Sequence, residues 1–309
     1  MNIAVTGAFG YSGRYITRRL LDAGHSVLTL TNSPRRPNPF GERVRAVPFH
    51  FDQPSQLAAS LQGVEALINT YWVRFDHRLF THAQAVANTQ AMFESARAAG
   101  VRRIVHVSIT NPDLRSDLPY FRGKAQLEEA LKALGVSHCI LRPTVLFGKE
   151  DVLINNIAWG LRHLPVYGAF GGDGCRLQPI YVDDLAAVAA RKATETVNET
   201  LDAIGPETFS YRGLVEMVAR ELGLRRPILD LPPALVYWAC RLLGLAVGDV
   251  VLTREEIRGL LENRLCVASP PLGTTRLTNW VREHRENLGR RYTSEMARRR
   301  DRQSGYRSN

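Results

Sequence analysis

The run Thr6-Gly7-Ala8-Phe9-Gly10-Tyr11-Ser12-Gly13, set between a short apolar segment and an amphipathic one, constrains this chain more than any other feature. Asn2-Ile3-Ala4-Val5 precedes it as a strand. Tyr15, Ile16, Leu20 and Leu21 follow at helical spacing, and Ala23-Gly24-His25 stops the helix. Three glycines at such a junction permit a tight turn, bring bare backbone up to a pyrophosphate and let the helix pack close to the strand. The phosphates then meet the free N–H groups and positive end of the helix. The pattern predicts a dinucleotide held by Gly7, Ala8, Phe9, Gly10, Tyr11, Ser12 and Gly13.

Strand-like and helix-like segments alternate through the first half of the chain. Strands are predicted at 27–31, 44–49, 64–69, 103–108 and 138–142, with helices at 54–62, 78–99 and 120–134. Strands separated by helices imply parallel crossovers, hence an α/β, doubly wound parallel sheet (a Rossmann fold) in the order 3-2-1-4-5-6. After Gly148 the rhythm breaks into helices and Pro- or Gly-rich loops. This divides the chain into a dinucleotide-binding domain at 1–147, a smaller and mostly helical substrate region at 148–289 with some segments returning to the core, and a basic tail at 290–309. The tail holds seven arginines against Glu295 and Asp301, too few apolar residues to bury, and is expected to be disordered.

Tyr120 and Lys124 form Tyr-x-x-x-Lys at the start of a helix, where residues four apart share a face. A tyrosine pKa of about 10 is too high for a base at neutral pH. A nearby ammonium and a cationic nicotinamide favour the phenolate. A hydroxyl at the end of the fifth strand would hold the substrate oxygen, and Ser108 and Thr110 are the two alternatives. Asn69 and Thr70 end the fourth strand, on the nicotinamide side of the expected cleft. At the end of the second strand an acidic residue would read the ribose hydroxyls and repel a 2′-phosphate. Here the stretch is Thr31-Asn32-Ser33-Pro34-Arg35-Arg36, with no carboxylate and two guanidinium groups. Asn32, Ser33, Arg35 and Arg36 therefore predict NADP, with NADPH preferred over NADH.

Taken in order, Thr6-Gly-x-x-Gly10-x-x-Gly13, Asp52, Val107-Ser108, Tyr120-x-x-x-Lys124, Leu141-Arg142-Pro143-Thr144 and Gln178-Pro179-Ile180-Tyr181-Val182-Asp183-Asp184 resemble the short-chain dehydrogenase/reductase superfamily. The resemblance is to its extended and atypical branch and covers residues 1 to about 225. Within that branch the chain is most similar to NAD-dependent epimerase/dehydratase-like proteins and to the NADPH-binding accessory subunit of respiratory complex I. The resemblance implies Asp52 at the adenine, Tyr120 as the acid/base, Lys124 on the nicotinamide ribose, and Pro143 and Thr144 flanking the nicotinamide. It implies an NADP(H)-dependent oxidoreductase, or a nucleotide-sugar epimerase/dehydratase-like enzyme, with hydride transfer at nicotinamide C4. The alternative is a non-catalytic NADP(H)-binding assembly or redox-sensing protein. Two departures stand out: Ile109 splits Ser108 from Thr110, and the gap from Ser108 to Tyr120 is short for an enzyme that shapes a sugar pocket.

The formal net charge is +10, and half of it lies in the last twenty residues, so it does not argue for specific nucleic-acid recognition. The partner expected is a small-molecule substrate. A peripheral membrane or assembly contact is a further possibility, through the tail and the apolar stretch 234–252, which Arg241 and Asp249 interrupt. That stretch is read as a buried or substrate-capping helix pair. The four cysteines are widely spaced, the histidines form no metal-spaced cluster, and Met1 leads straight into a strand. The expectations are reduced thiols, a cytoplasmic location and no metal site.

Overall fold

The computed structural model describes residues 1–301. In chain order it contains β1 (Asn2–Thr6), α1 (Tyr11–Asp22), β2 (Ser26–Leu30), β3 (Val44–Val47), α2 (Pro54–Ser60), β4 (Ala66–Asn69), α3 (His82–Ala98), β5 (Arg103–Val107), α4 (Pro119–Ala133) and β6 (Ser137–Pro143). There follow β7 (Leu146–Phe147), α5 (Leu153–His163), β8 (Tyr167–Ala169), β9 (Arg176–Leu177), β10 (Ile180–Tyr181), α6 (Val182–Lys192), β11 (Glu199–Ala203), β12 (Phe209–Ser210), α7 (Tyr211–Glu221) and β13 (Ile228–Asp230). The series closes with α8 (Pro233–Val247), α9 (Arg254–Leu261), α10 (Leu277–His284) and α11 (Glu295–Arg300).

Two compact units result, one from 1–143 and 185–202, the other from 144–184 and 203–301. The first holds a seven-stranded sheet in the order β3-β2-β1-β4-β5-β6-β11, and β1 to β6 pair in parallel throughout. This is the doubly wound order expected from the sequence, with β11 added at the edge. Leu28, Leu30, Leu67, Ile104 and Ile140 from the sheet pack against Leu57, Met92, Phe93, Leu127 and Leu131 from the helices, burying the sheet as parallel strands require. The returning segment is pinned by the Arg103 guanidinium, which donates to the carbonyls of Lys192 (3.0 Å) and Val197 (2.8 Å).

The second unit has its own core, including Phe147, Leu161, Phe170, Leu214, Val218, Trp280 and Val281. It begins at Thr144 rather than at 148. The reason is local: β7 pairs with β10 (Leu146 opposite Ile180), and the Thr144 hydroxyl donates to the Gln178 carbonyl.

The expected disordered tail needs correcting over 290–301; residues 302–309 lie outside the described residues. Thr293 and Met296 are buried. Thr293 exchanges two hydrogen bonds with the Asn156 amide (2.8 and 3.0 Å). Gly289 makes this crossing possible: at φ +71° it passes α5 so closely that a Cβ there would stand 2.4 Å from the Ala158 carbonyl carbon. Composition misled because the docking uses Met296, the ring and hydroxyl of Tyr292 and backbone polar groups, not an apolar run. The helix pair expected over 234–252 is corrected: the stretch holds the single helix α8, buried on one side only, and α9 begins beyond it at Arg254.

Candidate functional site

The glycine loop is built as its spacing requires. Gly7 sits at φ +67°, its N–H bonded to the Leu30 carbonyl, and its own carbonyl accepts from the Gly10 N–H at 2.8 Å. A Cβ on Gly13 would lie 2.2 Å from the Gly7 oxygen, so only glycine lets α1 approach the turn. The Ala8 N–H donates to Thr29 Oγ1 (3.0 Å), which in turn donates to the Val5 carbonyl (2.8 Å). The Ala8 and Phe9 side chains point into the core, leaving the loop backbone to face a ligand. Gly10 caps α1 without a side-chain hydrogen bond, and the first turn, which includes Tyr11 and Ser12, carries no acidic residue. Such an end offers N–H groups and positive dipole to an anion. These residues fit a dinucleotide pyrophosphate.

Beyond β2, the Thr31 hydroxyl accepts from the Ser33 N–H (3.0 Å) and the Ser33 carbonyl from the Arg36 N–H (3.0 Å), a turn that brings Asn32, Ser33 and Arg35 to the surface. Arg35 is exposed whereas Arg36 is tucked in, a difference their adjacency in sequence does not reveal. Asp52 is exposed after β3. At the end of β4, Asn69 is fully buried. Its carbonyl oxygen accepts from Thr6 and from the Tyr71 N–H, and its amide donates to His106 Nδ1 at 3.0 Å. Thr70 Oγ1 donates to the Thr6 carbonyl at 2.6 Å. Asn69 and Thr70 thus fasten β4 to its neighbours, and burial holds His106 well below the ordinary histidine pKa.

Tyr120 and Lys124 stand on one face of α4, each against Trp72. The Tyr120 ring meets Trp72 edge-on at 5.6 Å between centroids, and the Lys124 ammonium lies 4.4 Å from the Trp72 ring centre. Lys124 Nζ also donates to the Val107 carbonyl at 2.6 Å, and the side chain is buried. His82, the first residue of α3, completes the wall, with its ring 5.6 Å from that of Tyr120. Asp76 Oδ1 accepts the His82 backbone N–H (2.6 Å) and stands 2.8 Å from His82 Nδ1, at an angle too poor for a second bond. Burial outweighs that carboxylate and lowers the His82 pKa, so the imidazole is neutral at neutral pH.

Burial pushes the Lys124 ammonium from 10.5 down to about 7, against the pull of Glu128. Between about pH 7 and about pH 10 the unfolded chain therefore holds a proton that the folded protein lacks, and stability rises with pH there. Lys124→Met should abolish this rise. Denaturant titrations of the cofactor-free protein across that window should show the parent gaining a few kcal/mol that the variant does not gain.

The two candidate hydroxyls differ in their surroundings. Ser108 Oγ donates to Glu128 Oε1 at 2.5 Å, and Glu128 is clamped by Arg142 through two bonds (3.0 and 2.5 Å). Thr110 is buried, and its N–H bonds the Pro143 carbonyl at 3.1 Å, extending the β5–β6 pairing. Pro143 ends β6, and Thr144 belongs to the second unit. Among the described residues no group of three or more His, Cys, Asp or Glu side chains is placed to hold a metal ion. Sequence reasoning missed His82 and Glu128. The second had a signal, an acid four residues past Lys124 on the same face.

The fold and the glycine loop define a Rossmann NAD(P)-binding protein, and comparison with known proteins agrees. A family described as NAD(P)H-binding matches residues 7–158. A (4-alkanoyl-5-oxo-2,5-dihydrofuran-3-yl)methyl phosphate reductase of Streptomyces griseus is 30% identical over 233 residues, 73% of this chain and 75% of that one. The mitochondrial NADH dehydrogenase [ubiquinone] 1 alpha subcomplex subunit 9 of Arabidopsis thaliana is 28% identical over 226 residues, 69% of this chain but 56% of that relative's length. Among solved structures, an NADPH-dependent quinone oxidoreductase from Escherichia coli complexed with NADPH superposes with TM-score 0.74 and 23% identity, covering 92% of this chain and 100% of that one. The chain belongs to the NAD(P)H-binding family, homologous to reductases and to this NADH dehydrogenase subunit.

Proposed function

We propose that the protein is an NADP(H)-dependent oxidoreductase acting on a carbonyl or carbinol carbon, with Tyr120 as the acid/base. The observation that carries this reading is the packing of Tyr120 and Lys124 together around Trp72 at the end of β5, the lysine buried and its pKa lowered to about 7. A lysine held this close to ionisation at neutral pH can share a proton with its surroundings as chemistry proceeds. The nicotinamide would supply or accept the hydride. Tyr120 would move the proton at the substrate oxygen, Lys124 would serve the ribose, and Gly7 to Gly13 would hold the pyrophosphate. Ser108 and Thr110 stay the two candidates for the hydroxyl that holds the substrate oxygen; Ser108 donates to Glu128, and Thr110 is fully buried.

Specificity for NADPH follows from the turn after β2. Only a 2′-phosphate can draw on the exposed Arg35, and a hydrogen bond to a charged group is worth roughly 1.5–3 kcal/mol. The change Arg35→Ala should therefore weaken NADPH about tenfold or more and leave NADH nearly untouched. Equal titration curves for the two cofactors in the parent would refute the assignment.

A second reading has its own support. The similarity to an NADH dehydrogenase subunit, with Ser108 committed to Glu128, favours a protein that binds cofactor within an assembly. The experiment that separates the two is NADPH oxidation against a panel of quinones, aldehydes and ketones. Hydride transfer to any of them, lost in Tyr120→Phe, supports the enzyme. Tight NADPH binding with no transfer supports the assembly.

A further inference from the structure

We propose that α8, together with the arginine-bearing turn docked at its end, seats the protein on an anionic lipid bilayer. Leu235, Trp238, Leu242 and Leu245 are 56, 53, 68 and 83% exposed, in a protein whose other helices turn their large apolar side chains mostly inward. Their spacing of three, four and three residues puts them within about 80° of arc, one stripe on the outer side of the helix. Val236 and Gly244 take the inner side, against the core. An exposed apolar stripe of this size is normally covered by something.

Charge decides what covers it. From Pro233 to Val247 there is no acidic residue, and the single charge is Arg241, whose guanidinium lies 5.6 Å from the Trp238 ring centre. Asp249, two residues past the helix, accepts from the Tyr292 hydroxyl (3.1 Å) and from the N–H groups of Glu295 (3.0 Å) and Met296 (2.9 Å). Those bonds anchor α11, with Arg298, Arg299 and Arg300 in its last turn, at the end of the apolar stripe. Glu295 pairs with Arg299 and Asp301 follows Arg300, so together with Arg241 this end of the stripe keeps a net positive charge. Two copies of the chain paired through α8 would set these cations against one another. A bilayer rich in anionic headgroups complements them while taking up the leucines and the indole. At fifteen residues α8 is about 22 Å long, short of the roughly 30 Å of a hydrocarbon core, so it lies in the interface and does not span it.

The test is co-sedimentation of the full chain with vesicles of phosphatidylcholine alone, or of phosphatidylcholine and phosphatidylglycerol in equal parts. The parent should bind the anionic vesicles at least about tenfold more tightly than the neutral ones and lose that preference at high salt. Leu242→Glu with Leu245→Glu should abolish binding, and the exposure of both side chains leaves NADPH binding and thermal stability unchanged. Arg241→Glu with Arg300→Glu, both exposed, should remove the preference for anionic vesicles. Absence of vesicle binding by the parent overturns the proposal, as does binding that survives the paired leucine changes. A parent dimer that the leucine changes dissolve, without lipid binding, overturns it in favour of a second copy on this face.

Discussion

Turnover in the Tyr120→Phe variant is expected to fall by about 10²–10⁴-fold while NADPH affinity stays at the parent value. The substitution removes one oxygen and keeps the ring, so the edge-on contacts with Trp72 and His82 survive and the wall holds its shape. What is lost is the group that moves the proton at the substrate oxygen, an interaction made in the transition state, so kcat and kcat/KM should drop together. Lys124→Met behaves differently. It takes away the donor to the Val107 carbonyl and the cation beside the Trp72 ring as well as the charge, so cofactor affinity and turnover should both suffer. Steady-state kinetics beside an NADPH titration separate the two patterns. A phenylalanine variant turning over at the parent rate would exclude Tyr120 as the acid/base.

The core of the first unit was legible because its signals are local. Gly7, Gly10 and Gly13 fall within one turn, and the alternation from Asn2 to Arg142 fixed six strands and their order with only end residues misplaced. That Tyr120 and Lys124 share a face of α4 was legible for the same reason, the two being one helical turn apart. What joins distant segments was not. His82 reaches Tyr120 through a fold contact across thirty-eight residues of chain, and no spacing rule links a histidine at a helix start to a tyrosine at another. Ser108 looked like a free hydroxyl because Glu128, its acceptor, lies a full helix away. The docking of 290–301 was hidden by composition: arginines dominate the count, while Asp249, Asn156 and Met296 determine where the segment goes. The apolar run near 234–252 was visible, but which of its leucines face outward depends on the packing of Val236 and Gly244.

Glu128→Ala should destabilise the protein by about 3 kcal/mol, the low end of the cost of breaking a buried ion pair, since the Arg142 side chain retains some contact with solvent. Glu128 is nearly inaccessible, and both its oxygens are used: Oε1 accepts from Ser108 and Arg142 Nε, and Oε2 from Arg142 Nη2. Removing the carboxylate strands a guanidinium whose pKa that partner had raised, and a serine hydroxyl with it. Glu128 is also the charge that favours the protonated form of Lys124, so its loss drives the lysine further toward neutrality. The damage should therefore reach the site as well as the fold, and Glu128→Gln, which keeps an acceptor for Ser108, should be milder on both counts. Ser108→Ala is the discriminating control. If the serine only completes this network, the change costs about 1 kcal/mol and leaves turnover near the parent level, whereas Thr110→Val removes activity. Calorimetric melting of the four variants beside their kcat values reads the comparison directly, and loss of turnover in Ser108→Ala with its melting point intact would assign the substrate hydroxyl to Ser108.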